Sequence, residues 1–258
     1  MLIHTETCGE GPPCVLLHGW GMHGGVWRET ARELALHYRV TCIDLPGHGH
    51  SAPLPDQDSL PALAAAIAYV VPAHSRVVGW SLGGMVAMQL AIDHPDRVAQ
   101  LLLVASTPRF VTGPDWEHGL TPEVLEDFAR RLRADTTATV RQFLALQVKG
   151  GEQEQRTLTR LRALMSEAPP PSPAALEGGL SILRSDSLLP LLARITQPVT
   201  LIHGRRDTLI PWTAAEALRE RLPGARLHLM PRAAHAPFLS HPGEFLALVA
   251  REAPDGPR

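Results

Sequence analysis

Little in this 258-residue chain is in excess, and each shortage narrows what it does. Charge of one sign is lacking. Lys and Arg number 24 against 26 Asp and Glu, a formal net charge of −2, so no global field draws the chain to nucleic acid or to an anionic membrane surface. Long apolar runs are lacking too: the most apolar stretch, 60–73, is broken by Pro61 and Pro72 and falls short of the roughly 20 residues that span a bilayer. The opening residues, Met1 to Thr7, carry neither the basic nor the apolar segment of a secretory leader. Cysteine is scarce. Cys8, Cys14 and Cys42 are odd in number, lack metal-ligand spacing and fall partly in strand-like runs, which predicts buried free thiols in a reducing compartment. No internal repeat occurs. A soluble, cytoplasmic, monomeric protein is expected.

What is present is an alternation of short apolar runs with amphipathic segments, the pattern of a mostly parallel sheet flanked by helices. Strands are expected at 14–17, 39–43, 76–79, 100–105, 199–203 and 226–230. Between the fourth and fifth of these the pattern changes to helical periods at 122–132, 137–148 and 152–166, then the proline-rich bend 169–173 and a further short helix. The chain therefore divides into a sheet domain, 1–110 and 189–258, and an inserted helical cap, 111–188. Residues 253–258 are read as a frayed tail.

Within the sheet domain, Gly79-Trp80-Ser81-Leu82-Gly83 follows an apolar run and opens a helical segment reaching Ile92. A serine between glycines at a strand-to-helix junction is a nucleophile elbow, where a sharp turn exposes the hydroxyl above the sheet. Such a hydroxyl needs a base within hydrogen-bond reach and an acid to orient that base. In this chain order the acid and then the histidine follow the serine on loops after late strands. Asp207 follows the run ending at Gly204, and His235 follows the run ending at Met230. The loop after the fourth strand, beginning Ser106-Thr-Pro-Arg109, offers no carboxylate. An oxyanion hole requires two backbone N–H groups. Leu82, directly after the nucleophile, supplies the first, and Trp20 in His18-Gly-Trp-Gly21 is the candidate for the second. The Trp20 indole would also serve as a core aromatic or line an acyl pocket.

Two rival readings share these loops. Gly19-Trp-Gly21-Met-His-Gly24 matches G-x-G-x-x-G after a strand, and Asp44 lies about twenty residues on, as in an NAD-linked oxidoreductase. That reading leaves Ser81, Asp207 and His235 without a role. His48-x-His50 resembles half a metal site, yet no further ligand follows at a useful spacing, so neither metal nor cofactor is expected. A non-catalytic ligand receptor on the same scaffold remains a third alternative.

The motifs His18-Gly-Trp-Gly21, Asp44-Leu-Pro-Gly-x-Gly-x-Ser51, Gly79-Trp-Ser-Leu-Gly-Gly84 and Ala234-His-Ala-Pro-Phe-x-Ser-His241 resemble the α/β-hydrolase family. Within it, the whole chain is similar to the pimeloyl-acyl carrier protein methyl ester esterases of biotin synthesis. That resemblance implies hydrolysis of a carrier-borne methyl ester through an acyl-enzyme, with an acyl carrier protein as partner. A broad carboxylesterase for short acyl esters is the alternative. The resemblance also implies substrate contacts at Trp20, Ser81, Leu82 and His235 and along Phe143, Leu144, Ala145, Leu146 and Gln147, and carrier contacts at Arg141, Arg156 and Arg160. Gln142 departs from the family's basic pattern.

The cap segment also speaks for itself. Val140, Phe143, Leu144, Gln147 and Val148 share one helical stripe with a single polar member, which predicts either a lid over an acyl chain or a helix packed on its neighbours. Between Phe128 and Met165, eight basic residues face three acidic ones. An excess of five positive charges is either a solvated surface or a steering field for an acidic partner.

Overall fold

The computed structural model describes residues 2–55 and 59–252; the tail expected at 253–258 lies outside them. Apolar runs become the seven strands of one sheet among the described residues: β1 (Thr5–Cys8), β2 (Pro13–Leu17), β3 (Arg39–Ile43), β4 (Ser75–Trp80), β5 (Val98–Val104), β6 (Val199–Gly204) and β7 (Arg226–Met230). Their order is β1-β3-β2-β4-β5-β6-β7. Only β1 runs antiparallel, with Thr5 opposite Ile43. The strand β1 was not expected from the sequence, and it carries Cys8, which is exposed while Cys14 and Cys42 are buried. An exposed edge strand with alternating polar residues carries no apolar signal. Burial pushes the Cys14 thiol up to about 12 and raises that of Cys42 as well.

The helices are α1 (Arg28–Leu34), α2 (Leu60–Ala68), α3 (Leu82–Asp93), α4 (Pro122–Ala134), α5 (Thr136–Val148), α6 (Glu154–Met165), α7 (Pro173–Ser185), α8 (Trp212–Arg221), α9 (Pro237–Ser240) and α10 (Pro242–Arg251). Alternate residues of the strands feed two separate cores, because side chains switch faces at every residue. Val15, Leu17, Val77, Leu101 and Leu201 pack with α2, α3 and α8. Leu16, Val78, Leu102 and Ile202 pack with α1 and α10 on the opposite face.

Four helices, α4 to α7, lie between β5 and β6. Capping residues set several of their starts: Asp135 accepts from the Ala138 amide and Ser172 from the Ala175 amide, each satisfying an amide that helix geometry leaves open. The proline run ends at Pro173, the first residue of α7, where a missing N–H costs nothing. At 13 residues α7 is longer than the short helix expected. Its Gly178 and Gly179 weaken helix propensity, but a Cβ at Gly179 would lie 2.7 Å from Trp20 Cδ1. The glycine admits the indole. Among the described residues no helix is long and apolar enough to cross a membrane.

Candidate active site

The order of connection reverses at β2, with β3 on one side and β4 on the other, and the crevice at the carboxyl ends of strands at such a switch point is where open α/β sheets place their sites. Ser81 follows β4 there with φ 56° and ψ −121°, a conformation that costs a non-glycine residue about 1–3 kcal/mol. Its neighbours hold it. The Ser81 amide donates to Val104 O at 3.0 Å, and the Ser106 hydroxyl donates to Ser81 O at 2.8 Å. The flanking glycines are needed for space: a Cβ at Gly79 would lie 2.4 Å from Gly83 O, and one at Gly83 would lie 2.4 Å from His18 O.

Three side chains distant in sequence meet at this turn. His235 Nε2 is 2.9 Å from Ser81 Oγ, and His235 Nδ1 is 2.7 Å from Asp207 Oδ2. Since a carboxylate only accepts, Nδ1 carries the hydrogen in neutral imidazole, which leaves Nε2 free to accept the serine proton. All three residues are buried. The loop after β6 fixes Asp207, whose Oδ1 accepts from the amides of Leu209 at 2.9 Å and Ile210 at 3.0 Å. Burial by itself raises the Asp207 carboxyl. The charge of His235 and the hydrogen bonds from His203 and His235 outweigh it and hold the group well below the usual carboxylate range. His235 is held from two sides: its amide donates to Gln147 O at 3.1 Å, and its carbonyl accepts from Trp80 Nε1 at 2.8 Å.

The loop after β2 lies directly against the serine, with Ser81 Cβ 3.1 Å from where a Cβ on Gly19 would sit. His18 anchors this loop, donating from Nδ1 to Gly19 O at 2.8 Å and accepting at Nε2 from the Leu45 amide at 2.9 Å. Burial lowers its pKa to about 3, with the neighbouring His48 adding to the effect, so it stays neutral. Trp20 packs edge-on against Phe143 at 4.8 Å and Phe128 at 5.7 Å, and its indole N–H donates to Leu176 O of α7. Leu82 begins α3, where helix geometry gives its amide no intrahelical acceptor.

Of the cap stretch, Phe143, Leu144 and Gln147 are buried, while Ala145 and Leu146 are half-buried. The expected single stripe divides: Val140 and Phe143 join the core containing Trp20 and Leu82, whereas Leu144 and Val148 join the other. Gln147 Oε1 is buried without a hydrogen-bond partner among the described residues. Arg141 and Arg156 are exposed. Arg156 and Arg160 share a surface cleft with Arg232 and His241. Arg160 is already engaged, by an ion pair to Glu29 and a hydrogen bond to Leu239 O at 3.3 Å. Sequence reasoning missed the indole contact of Trp80, although Trp80 lies within the elbow motif, and it missed Ser106, Leu176 and His203, which contribute a hydroxyl, a carbonyl and an imidazole without a motif of their own.

The dinucleotide-like loop has a different use. Asp44 Oδ1 accepts from the Gly24 amide at 2.6 Å and Oδ2 from the His50 amide at 2.9 Å. The acid that would meet a ribose instead ties two glycine-rich loops together. His48 is buried and His50 exposed, and no cluster of three metal-ligating side chains occurs among the described residues.

A family model described as the alpha/beta hydrolase fold matches residues 12–242. A pimeloyl-(acyl-carrier protein) methyl ester esterase of Nitrosomonas europaea is 46% identical over 95% of this chain and 97% of its own length. A protein of the same name from Methylococcus capsulatus is 44% identical over 98% of each. Among solved structures, an esterase from Exiguobacterium antarcticum superposes with a TM-score of 0.88 at 23% identity, covering 96% of this chain and 94% of that one, a likeness of fold. With a family match across most of the sheet and the inserted helices, and relatives alike over nearly their whole length, the chain belongs to the α/β-hydrolase family.

Proposed function

We propose that the chain is a serine carboxylesterase that hydrolyses the methyl ester of pimeloyl-acyl carrier protein in biotin synthesis. The observation that carries the reading is the hydrogen-bonded run Ser81–His235–Asp207, buried in a chain 46% identical to a relative bearing that activity's name. Ser81 Oγ attacks the ester carbonyl while His235 Nε2 takes its proton, and Asp207 stabilises the imidazolium so formed. The amides of Trp20 and Leu82 hold the oxyanion. As the tetrahedral intermediate collapses, His235 gives the proton to the departing methoxy oxygen, which leaves as methanol. A water then attacks the acyl-enzyme with His235 again as base, releasing the free carboxylate and Ser81.

Residues 111–188 act as a cap over the acyl chain, with Phe143, Leu144, Ala145, Leu146 and Gln147 along its path. The unpartnered Gln147 Oε1 marks an open acceptor in this face, which costs about 1–3 kcal/mol unless a donor meets it; the acyl chain carries no donor, so this partner is a water or an N–H of the carrier-borne arm. The carrier protein docks on the basic face, with Arg156, exposed and hydrogen-bonded to Gln153 Oε1 at 3.5 Å, a contact in the cleft and Arg141 a separate contact on α5.

The test compares methyl-pimeloyl carrier protein with simple esters in wild type and Ser81→Ala. The variant is expected to lose up to about a millionfold in turnover, and a serine-directed phosphonate is expected to label wild type at Ser81. Labelling elsewhere, or near-normal activity in a folded variant, refutes the nucleophile. Equal kcat/KM on carrier-linked and simple esters points to the broad carboxylesterase.

A further inference from the structure

Asp207 faces two histidines, and the reaction proposed above uses only one. His203, at the end of β6 and 1% exposed, places Nε2 at 2.9 Å from Ile210 O and 3.3 Å from Asp207 Oδ2. Neither partner can donate, so this nitrogen carries the hydrogen and shares it between the two. The same Oδ2 receives His235 Nδ1 at 2.7 Å. One carboxylate oxygen is therefore approached by the base, from the loop after β7, and by a second N–H, from the end of β6, while the other oxygen takes the amides of Leu209 and Ile210.

We propose that His203 is a positioning residue for the proposed triad: its shared N–H fixes Asp207 Oδ2 and draws negative charge from it, lowering the proton affinity of His235 so that the base stays neutral further into the acid range. The proposal rests on the Ser81–His235–Asp207 reading. An N–H beside a carboxylate stabilises its charge. A carboxylate stabilised in this way stabilises an adjacent imidazolium less. Removing the N–H leaves Asp207 more basic, strengthens its hold on the His235 proton and raises the pH at which His235 becomes a competent base.

The surroundings leave this assignment to His203. β5 carries no ionisable side chain. Arg205 is exposed and lies over the Trp212 ring, and Arg206 is exposed. Glu216 on α8 is half-exposed, His118 meets Thr213, and His228 on β7 pairs with Glu252. On the segments beside His235 and its partner Gln147, Lys149 is exposed, and Arg232 is exposed and paired with Glu152. Ser81 is the remaining neighbour at Nε2.

The experiment is the pH profile of kcat/KM on p-nitrophenyl butyrate for wild type, His203→Gln and His203→Leu. Glutamine places an N–H near the Nε2 position; leucine places none. The leucine variant is expected to move the acid limb upward by about 0.5–1 pH unit, a three- to tenfold loss at pH 6 that shrinks above pH 8, while glutamine keeps the wild-type limb. A uniform loss with an unmoved limb, or equal behaviour of both variants, overturns the proposal while wild type keeps its limb. If the leucine variant does not fold, His203→Asn, whose amide is too short to reach Oδ2, takes its place with the same expectation and the same refutation. A wild-type profile without an acid limb, or turnover surviving in Ser81→Ala, overturns the triad reading and the proposal with it.

Discussion

Replacing Asp207 by asparagine tests the orientation of the base more sharply than removing the serine. The substitution keeps the shape and exchanges one acceptor for a donor. Two amide placements are open, and the contacts decide between them. With the amide nitrogen at the Oδ1 position it would face the backbone N–H groups of Leu209 and Ile210, at 2.9 and 3.0 Å. Backbone amides cannot change tautomer, so that clash would persist. With the nitrogen at the Oδ2 position it faces His235 Nδ1 at 2.7 Å and His203 Nε2 at 3.3 Å; the His203 N–H keeps Ile210 O as its acceptor at 2.9 Å, and the His235 imidazole escapes by moving its hydrogen to Nε2. The ring then points an N–H at Ser81 Oγ across 2.9 Å and cannot accept the serine proton. A misassigned tautomer of this kind lowers kcat by about four orders of magnitude in a serine protease, roughly 5 kcal/mol at about 1.36 kcal/mol per decade. The expected loss here is three to four decades in kcat on a simple ester, with Tm changed by a few degrees. Asp186→Asn, outside this loop, is the control and should alter kcat less than about twofold. A loss below tenfold for Asp207→Asn, or a larger loss for the control, refutes the assignment of the acid.

Acid should destabilise the fold through its buried histidines. His18 and His48 drop from 6.5 to about 3 and about 4, chiefly by burial, so the unfolded chain binds their protons first. Their stabilisation is complete above pH 6.5 and is lost as pH falls, the loss reaching about 2 kcal/mol each by pH 5; urea unfolding with equal stability at pH 7 and pH 5 would contradict this. Gly179→Ala should push the Trp20 indole, whose Cδ1 lies 2.7 Å from the added carbon, and lower kcat roughly tenfold at a stability cost of about 1–3 kcal/mol; unchanged kcat would show that α7 does not set the loop. Arg156→Glu should raise KM for a carrier-linked ester and flatten its salt dependence, leaving a simple ester unaffected; equal losses on both substrates would indicate a folding defect instead.

The inner parallel strands were legible because burial on both faces makes them largely apolar runs, and β3 is found where the sequence placed it; β7 also matches its expected range, although as an edge strand it is only partly buried. The edge strand β1 was not, since its residues are half-buried or exposed and mostly polar. The helix α7 runs longer than expected, through Gly178 and Gly179, which weaken helix propensity, and the close approach of the Trp20 indole accounts for Gly179. In the site, the elbow serine, the acid and the histidine lie at motif positions that chain order alone arranges. His203 and Ser106 do not. A histidine at a strand end and a serine in a loop are common residue types in common places, and their meaning lies in distances that no local pattern encodes.

The inserted helices connect to the chemistry through backbone and indole rather than through charge. Gln147 of α5 gives its carbonyl to the His235 amide, and Leu176 of α7 gives its carbonyl to the Trp20 indole. Two of these helices thus reach the two loops that the reaction would use, one bearing the base and the other an oxyanion amide. A displacement of α5 and α7 away from the sheet would break both bonds together and loosen the donor and the base at once. Were those helices to move to admit an acyl chain, the contacts around Ser81 would be complete again only when both had returned; the two hydrogen bonds, each worth about 0.5–1.5 kcal/mol net, would together shift that equilibrium by about a factor of 5 to 150.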